Sequence, residues 1–188
     1  MDLEAIKQQM SGQWKSISVE VRPSGTKDAA GNIKPFFLTR LFSYSPDDVF
    51  ELQVTSFADS FGKIPLAKMD IQGTMVWTEE HPVAPGAWKV NFLADKGYSV
   101  TPLNPGFSDL LNQVAVAGYD QWEVGNAQSI FKKAFLPFGL SEGQVFAEFD
   151  LVYLLNDCLF WGARHVDGRG FDTEENRPTN LQIPLVRV

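Results

Sequence analysis

Between Phe36 and Tyr44 the chain alternates with a period of two. Phe36, Leu38, Phe42 and Tyr44 fall on one side together with Arg40. A nine-residue run of that kind, closed by the turn residues Pro46, Asp47 and Asp48, has one economical solution, a strand with one face turned to a core. The pattern returns at 13–22, 49–57, 66–77, 87–93, 144–155, 158–166 and 180–187, with clusters of Pro, Gly, Asn and Asp between the runs. This spacing gives roughly eight to ten strands with mostly hairpin-length links, the signature of an antiparallel barrel or sandwich. The fold class predicted is therefore mainly β, a calycin-like or lipocalin-like antiparallel barrel with short helices.

Helical spacing is confined to two places. Leu3, Ile6 and Met10 form one stripe over residues 2–10, and Phe107, Leu110, Leu111 and Val114 form another over 107–118. Residues 126–135 read as a second short helix or a turn. The 188 residues suit one domain, 1–188, with a partly helical insertion around 107–135 that would cover a barrel mouth. Residues 94–106 read as turns and short extended pieces.

The function classes narrow by charge and by missing motifs. The net charge is −7 and the basic residues are scattered, which argues against nucleic acid and against anionic membranes. No apolar run reaches transmembrane length. Cys158 is the single cysteine, so no disulfide framework forms within the chain. The opening MDLEAIKQQM lacks a basic start followed by an apolar run, so a cytoplasmic protein is expected, with a processed secreted chain as the alternative. There is no Gly-rich phosphate loop and no G-x-S-x-G elbow, and two histidines with one cysteine do not make a structural zinc site. Neither cofactor nor metal is expected. The aromatic share of 13% suits an aromatic-lined cavity as well as a core.

Candidate site residues follow from charges placed where strands should be buried. Arg40 among large apolar side chains needs a carboxylate, and Glu20 and Asp70 are the candidates. Trp14, Ser16, Ser18, Glu20 and Arg22 share a strand face that reads either as solvated or as the polar wall of a cavity. Trp88 shares a face with Val90 and Phe92. Glu148 and Asp150 stand side by side on one face. Gly73 in mid-strand marks a bend or a close approach. His81, before Pro82, reads as a solvated loop histidine. The stretch Cys158 to Arg177 runs from a strand into a charged loop carrying Arg164, His165, Asp167, Arg169 and Asp172. If that piece is extended, His165 and Asp167 lie on one face, and the carboxylate would orient an imidazole acting as general base. The plain alternative is a polar network that only holds the loop.

Several short strings in order carry a family resemblance. They are Gly12-x-Trp14, Glu20-Val21-Arg22-Pro23, Phe37-Leu38-Thr39-Arg40, Leu159-Phe160-Trp161-Gly162, then His165 and Asp167, Arg177-Pro178-Thr179 and Pro184-Leu185. Together they resemble the repeated domain of the adenomatosis polyposis coli down-regulated 1 proteins. The resemblance covers both ends of the chain and is thin from about 55 to 140. It implies a lipocalin-like barrel able to hold a lipid or other apolar ligand. Animal members are tethered extracellular inhibitors of Wnt signalling with several disulfides. Here Val19 stands where that family has a cysteine, and the loop from Pro23 to Phe37 is longer, so the Wnt role does not carry over.

The expected function is binding of a small hydrophobic or aromatic molecule, with Trp14, Glu20, Arg22, Arg40, Trp88, Arg164 and Arg177 as ligand-binding residues. The first alternative is a cofactor-free isomerase or cyclase working by acid–base chemistry through His165 and Asp167. The second is a protein-interaction domain. A homodimer is compatible with each.

Overall fold

The computed structural model describes residues 2–188. The strands are β1 Gly12–Ser16, β2 Glu20–Lys27, β3 Ile33–Tyr44, β4 Val49–Phe57, β5 Pro65–Glu80 and β6 Trp88–Pro102. They continue with β7 Gln128–Ser129, β8 Ala147–Leu155, β9 Cys158–Trp161 and β10 Leu185–Arg187; the helices are α1 Leu3–Met10 and α2 Pro105–Val114. All pairings are antiparallel. The strand order runs β1, β10, β9, β8, β6, β5, β4, β3, β2, and β1 also pairs with β3, so the strands form a closed ring. Among the described residues no helix is long and apolar enough to cross a membrane.

The first predicted strand, 13–22, is split. β1 pairs Trp14 with Phe42, while β2 pairs Glu20 with Leu38, so both halves lie along β3. Ser16 Oγ accepts from the Arg40 amide at 2.7 Å, and the side chain replaces a main-chain partner where the ladder breaks. β2 then runs through the segment expected to be a loop. Pro23 sits opposite Pro35 and the register shifts after it. Neither proline can donate a ladder bond, which an edge position tolerates and which hides the strand in the sequence. β6 likewise runs on to Pro102 through residues expected to be turns. The strand over 49–57 coincides with β4. Asn156 and Asp157, both at positive φ, make the predicted turn between β8 and β9. Gly73 is a close approach of backbone, since a Cβ there would overlap the Leu93 carbonyl.

One end of the ring is filled. Met10, Trp14, Phe42, Tyr44, Phe50, Met75, Val90, Phe92, Trp161 and Leu185 form its buried cluster. α1 starts at Asp2, whose carboxylate accepts from the Ala5 amide at 2.8 Å, and buries Ile6 and Met10. Lys7 ties this helix to Asp48 in the β3–β4 turn at 2.8 Å.

Between β6 and β8 the chain makes an excursion with its own core of Leu111, Ala115, Trp122, Ile130, Phe135 and Leu140, packed on Val100. α2 starts two residues earlier than its apolar spacing suggests, because Asn104 caps it and Pro105 opens it, and it ends at Val114. Residues 126–135 contain β7 and a turn, with no helix, and residues 136–143 hold a short 3-10 turn at Leu136–Phe138. Met69, Tyr98 and Phe146 pack against both clusters.

Candidate functional site

The ring is hollow away from α1. A cavity of about 430 Å³ lies there, within the roughly 300–1,000 Å³ typical of small-molecule pockets. Its apolar wall comes from alternate residues of four strands: Leu38 and Phe42, Leu52 and Val54, Met69 and Ile71, with Tyr98 beyond them. The excursion contributes Phe138 and Phe146. The polar lining is Arg22, Arg40, Glu148, Asp150, Arg164 and Asp172.

Arg40 has the partner its surroundings demand, and it is Glu20. Arg40 Nε donates to Glu20 Oε1 at 2.9 Å, while Arg22 donates to Oε2 through Nε at 3.0 Å and Nη2 at 2.7 Å. Ser16 Oγ donates to Oε1 at 2.6 Å, so both oxygens of Glu20 are occupied. The other candidate partner, Asp70, bonds Gln53 and Lys68 instead. Burial alone would raise the Glu20 pKa. The charges of Arg40 and Arg22, with the Ser16 and Arg40 hydrogen bonds, outweigh it and hold this carboxyl below its ordinary value. The Arg40 guanidinium lies 5.5 Å from the Phe42 ring centre and 5.3 Å from that of Trp161. Its Nη2 is buried and has no hydrogen-bond partner. The Trp161 indole nitrogen is likewise buried and makes no hydrogen bond.

β8 brings up the two carboxylates the alternation placed together. Glu148 is half-buried and lines the cavity, and among the described residues its carboxyl is in no ion pair. Burial raises its pKa against the pull of Arg22, Arg164 and Arg40. Asp150 is 1% exposed; its Oδ1 accepts from the amides of Leu151 at 2.7 Å and Gly162 at 2.9 Å. Burial, helped by the neighbouring Glu148, raises its pKa to about 7. Gly162 must be glycine here, because a Cβ would overlap Pro178 and the Asp150 carboxylate.

The segment from Cys158 to Arg177 does reach the cavity, though not through the residues expected to do chemistry. β9 ends at Trp161, and residues 162–172 form a loop seated on β2, where a Cβ on Gly168 would overlap the Ser24 carbonyl. Trp161, Arg164, Gly170, Phe171 and Asp172 line the cavity. Arg164 Nε donates to the Gly168 carbonyl at 3.1 Å, and its guanidinium lies 5.4 Å from the Phe36 ring centre. Because the segment is not extended, the face shared by His165 and Asp167 does not exist. A His165 ring nitrogen lies 3.1 Å from the Asn176 carbonyl, and Asp167 accepts from the Arg169 amide at 3.1 Å. Neither side chain lines the cavity.

The remaining expected residues divide in the same way. Arg22, Arg40 and Arg164 line the cavity, and Glu20 stands behind the first two as their counter-ion. Trp14 is fully buried in the filled end, its indole donating to the Met10 carbonyl at 2.7 Å, and Trp88 packs against the same cluster. Arg177 is a staple behind the wall: it donates to the carbonyls of Val90 and Asp150, to Asn91 Oδ1 at 2.7 Å and to Glu174. His81 is buried, not solvated; its Nδ1 accepts from the Val83 amide at 3.1 Å, and burial lowers its pKa. Cavity residues that sequence reasoning did not single out include Tyr98, Phe138 and Phe171, whose only signal is aromatic type. Glu148 and Asp150 were visible as a pair, but nothing in the spacing said that both would face a void.

Against known proteins, the chain matches no family model and no curated protein.

Proposed function

We propose that this protein is a calycin-like barrel that binds a small, largely apolar or aromatic molecule in the cavity between Arg40 and Glu148. The observation that carries this reading is an unfilled volume of about 430 Å³ with apolar walls and a cluster of charges along one side. Protein interiors normally pack to the density of organic crystals, and a hollow of this size forfeits the contacts its lining would otherwise make. A ligand restores them. The resemblance to the adenomatosis polyposis coli down-regulated 1 domain points the same way, and the single cysteine suits a cytoplasmic carrier.

Calorimetric titration with a panel of small aromatic and aliphatic compounds tests the reading, run on wild type and on the cavity-filling variant Val54→Trp. Binding in wild type that disappears in the folded variant supports it. Binding that survives a filled cavity, or no binding to any compound, sinks it and leaves a protein-interaction domain as the better account.

A second reading rests on Glu148 and Asp150. Asp150, buried with its pKa raised to about 7, is equipped to move a proton near neutral pH, and the half-buried Glu148 beside it is shifted in the same direction. Cofactor-free isomerisation or cyclisation of the bound molecule would then depend on them, and not on His165 and Asp167. Glu148→Gln or Asp150→Asn should in that case lower turnover by about 10²–10⁴-fold while binding persists. Binding with no product in wild type would leave the carrier reading alone.

A further inference from the structure

We infer that the ligand of this cavity is an organic anion, an apolar or aromatic body bearing one carboxylate or similar acidic group, held by the Arg40 Nη2 edge together with Arg22 and Arg164. The inference rests on the proposed binding function and names its ligand class. Three guanidiniums line the cavity, and the hydrogen-bonded carboxylate among them, Glu20, is shared between two of them with both oxygens occupied. Arg164 is in no ion pair among the described residues, and its Nε is taken by a main-chain carbonyl. Arg40 is 6% exposed, and its Nη2 is a buried donor with no acceptor. A buried charged donor left unpaired is costly, and a planar guanidinium edge suits a carboxylate.

The other carboxyls lining the cavity are Glu148, Asp150 and the exposed Asp172, which accepts from Asn176 Nδ2 at 2.9 Å. Among the described residues none of the three is in an ion pair with an arginine. Glu20, the one carboxylate bonded to the lining arginines, has both oxygens taken, so Arg164 and the Arg40 Nη2 edge have no bonded carboxylate. The arginines therefore set the ligand's sign.

The test uses three probes of one shape: 4-phenylbutanoate, 4-phenylbutanol and 4-phenylbutylamine. They are titrated calorimetrically at pH 6 into wild type, Arg164→Gln, Arg40→Lys, Glu148→Gln and the cavity-filled Val54→Trp. The acid is expected to bind at least about tenfold tighter than the alcohol, the scale of one charge-assisted hydrogen bond, and the amine weakest. Arg164→Gln, which breaks no ion pair, and Arg40→Lys, if it folds, should shrink the acid-over-alcohol preference to about threefold or less. Glu148→Gln, which removes a carboxyl from the same cavity, should enlarge it. Equal binding of acid and alcohol, abolished in Val54→Trp, would overturn the anion inference and keep the cavity reading. Tightest binding of the amine, lost in Glu148→Gln, would overturn it in favour of a cation. No binding of any probe to wild type, or binding untouched by Val54→Trp, would overturn the cavity reading and this inference with it.

Discussion

Two aromatic-rich interiors sit side by side in this protein and were built to different ends. In the excursion, Trp122 packs against Phe135 and Tyr119, and its polar groups are used completely. Its indole donates to the Ala115 carbonyl at 2.8 Å, its amide to Asn112 Oδ1 at 2.8 Å, and its carbonyl accepts from Ser108 and Asn112. No buried side-chain atom among residues 103–146 lacks a partner. In the ring, Phe42, Phe92 and Trp161 stack as closely, with centroids 4.5 and 4.0 Å apart, yet a void opens beside them. Arg40 and Trp161 line it, and the Arg40 Nη2 and the Trp161 indole nitrogen are buried without a hydrogen-bond partner. The excursion is finished as it stands. The ring interior keeps a cavity of about 430 Å³, and that difference is what the proposed binding function rests on.

The comparison breaks most readily at the ion cluster. Glu20→Ala would leave Arg40 and Arg22 buried without their counter-ion, and loss of one member of a buried pair costs about 3–5 kcal/mol. Urea denaturation measures it. A loss under about 1 kcal/mol would mean that water reaches the cluster freely and that the arginines are a solvated rim.

The next effect is a pH dependence from Asp150. Its folded pKa of about 7 lies above the unfolded value, so the fold prefers the neutral acid. The stability this contributes is fully present below about pH 4 and is lost as pH rises through 7, at about 1.4 kcal/mol per pH unit and of order 4 kcal/mol in all. Asp150→Asn keeps an oxygen for the Leu151 and Gly162 amides and removes the titration. Wild type should therefore lose stability relative to this variant between pH 4 and 8. A difference that stays flat across that range would place the carboxyl in contact with solvent.

Overpacking sharpens the contrast directly. Ala115→Leu adds volume to a filled cluster and should cost about 1–3 kcal/mol. Val54→Trp adds more volume but enters the hollow, and should cost less than Ala115→Leu in the same thermal melts. The reverse order would show that the ring interior has no room. The smallest effect is expected at His165, whose ring meets the Asn176 carbonyl and lies edge-on to Phe171 at 6.4 Å between centroids. His165→Ala should lower stability by about 1 kcal/mol or less and leave probe affinity unchanged. A large loss of affinity would bring His165 back to the site.

Much of this architecture was legible because period-two alternation is a local property. The face of Leu38, Arg40, Phe42 and Tyr44 is buried as its pattern required, and an arginine there implied a carboxylate, which is Glu20. What stayed hidden depends on partners far along the chain. The second half of β2 was masked by Pro23, Ser24 and Gly25, and β6 by Asp95, Lys96 and Gly97, which read as a turn. The His165–Asp167 pairing assumed that strand geometry continued past Trp161. The chain instead turns to seat Gly168 on β2 and present Arg164 to the cavity. Whether a buried carboxylate faces packed side chains or a void is decided by the opposite wall, so Glu148 and Asp150 could be paired by sequence but not assigned.

The most direct measurement is a crystal structure of the protein soaked with 4-phenylbutanoate. The phenyl ring should lie against Leu38, Val54 and Met69, with a carboxylate oxygen within hydrogen-bond distance of Arg40 Nη2. A cavity free of ligand density at a saturating soak, with the compound bound elsewhere or nowhere, would contradict the claim that this ring encloses a binding site.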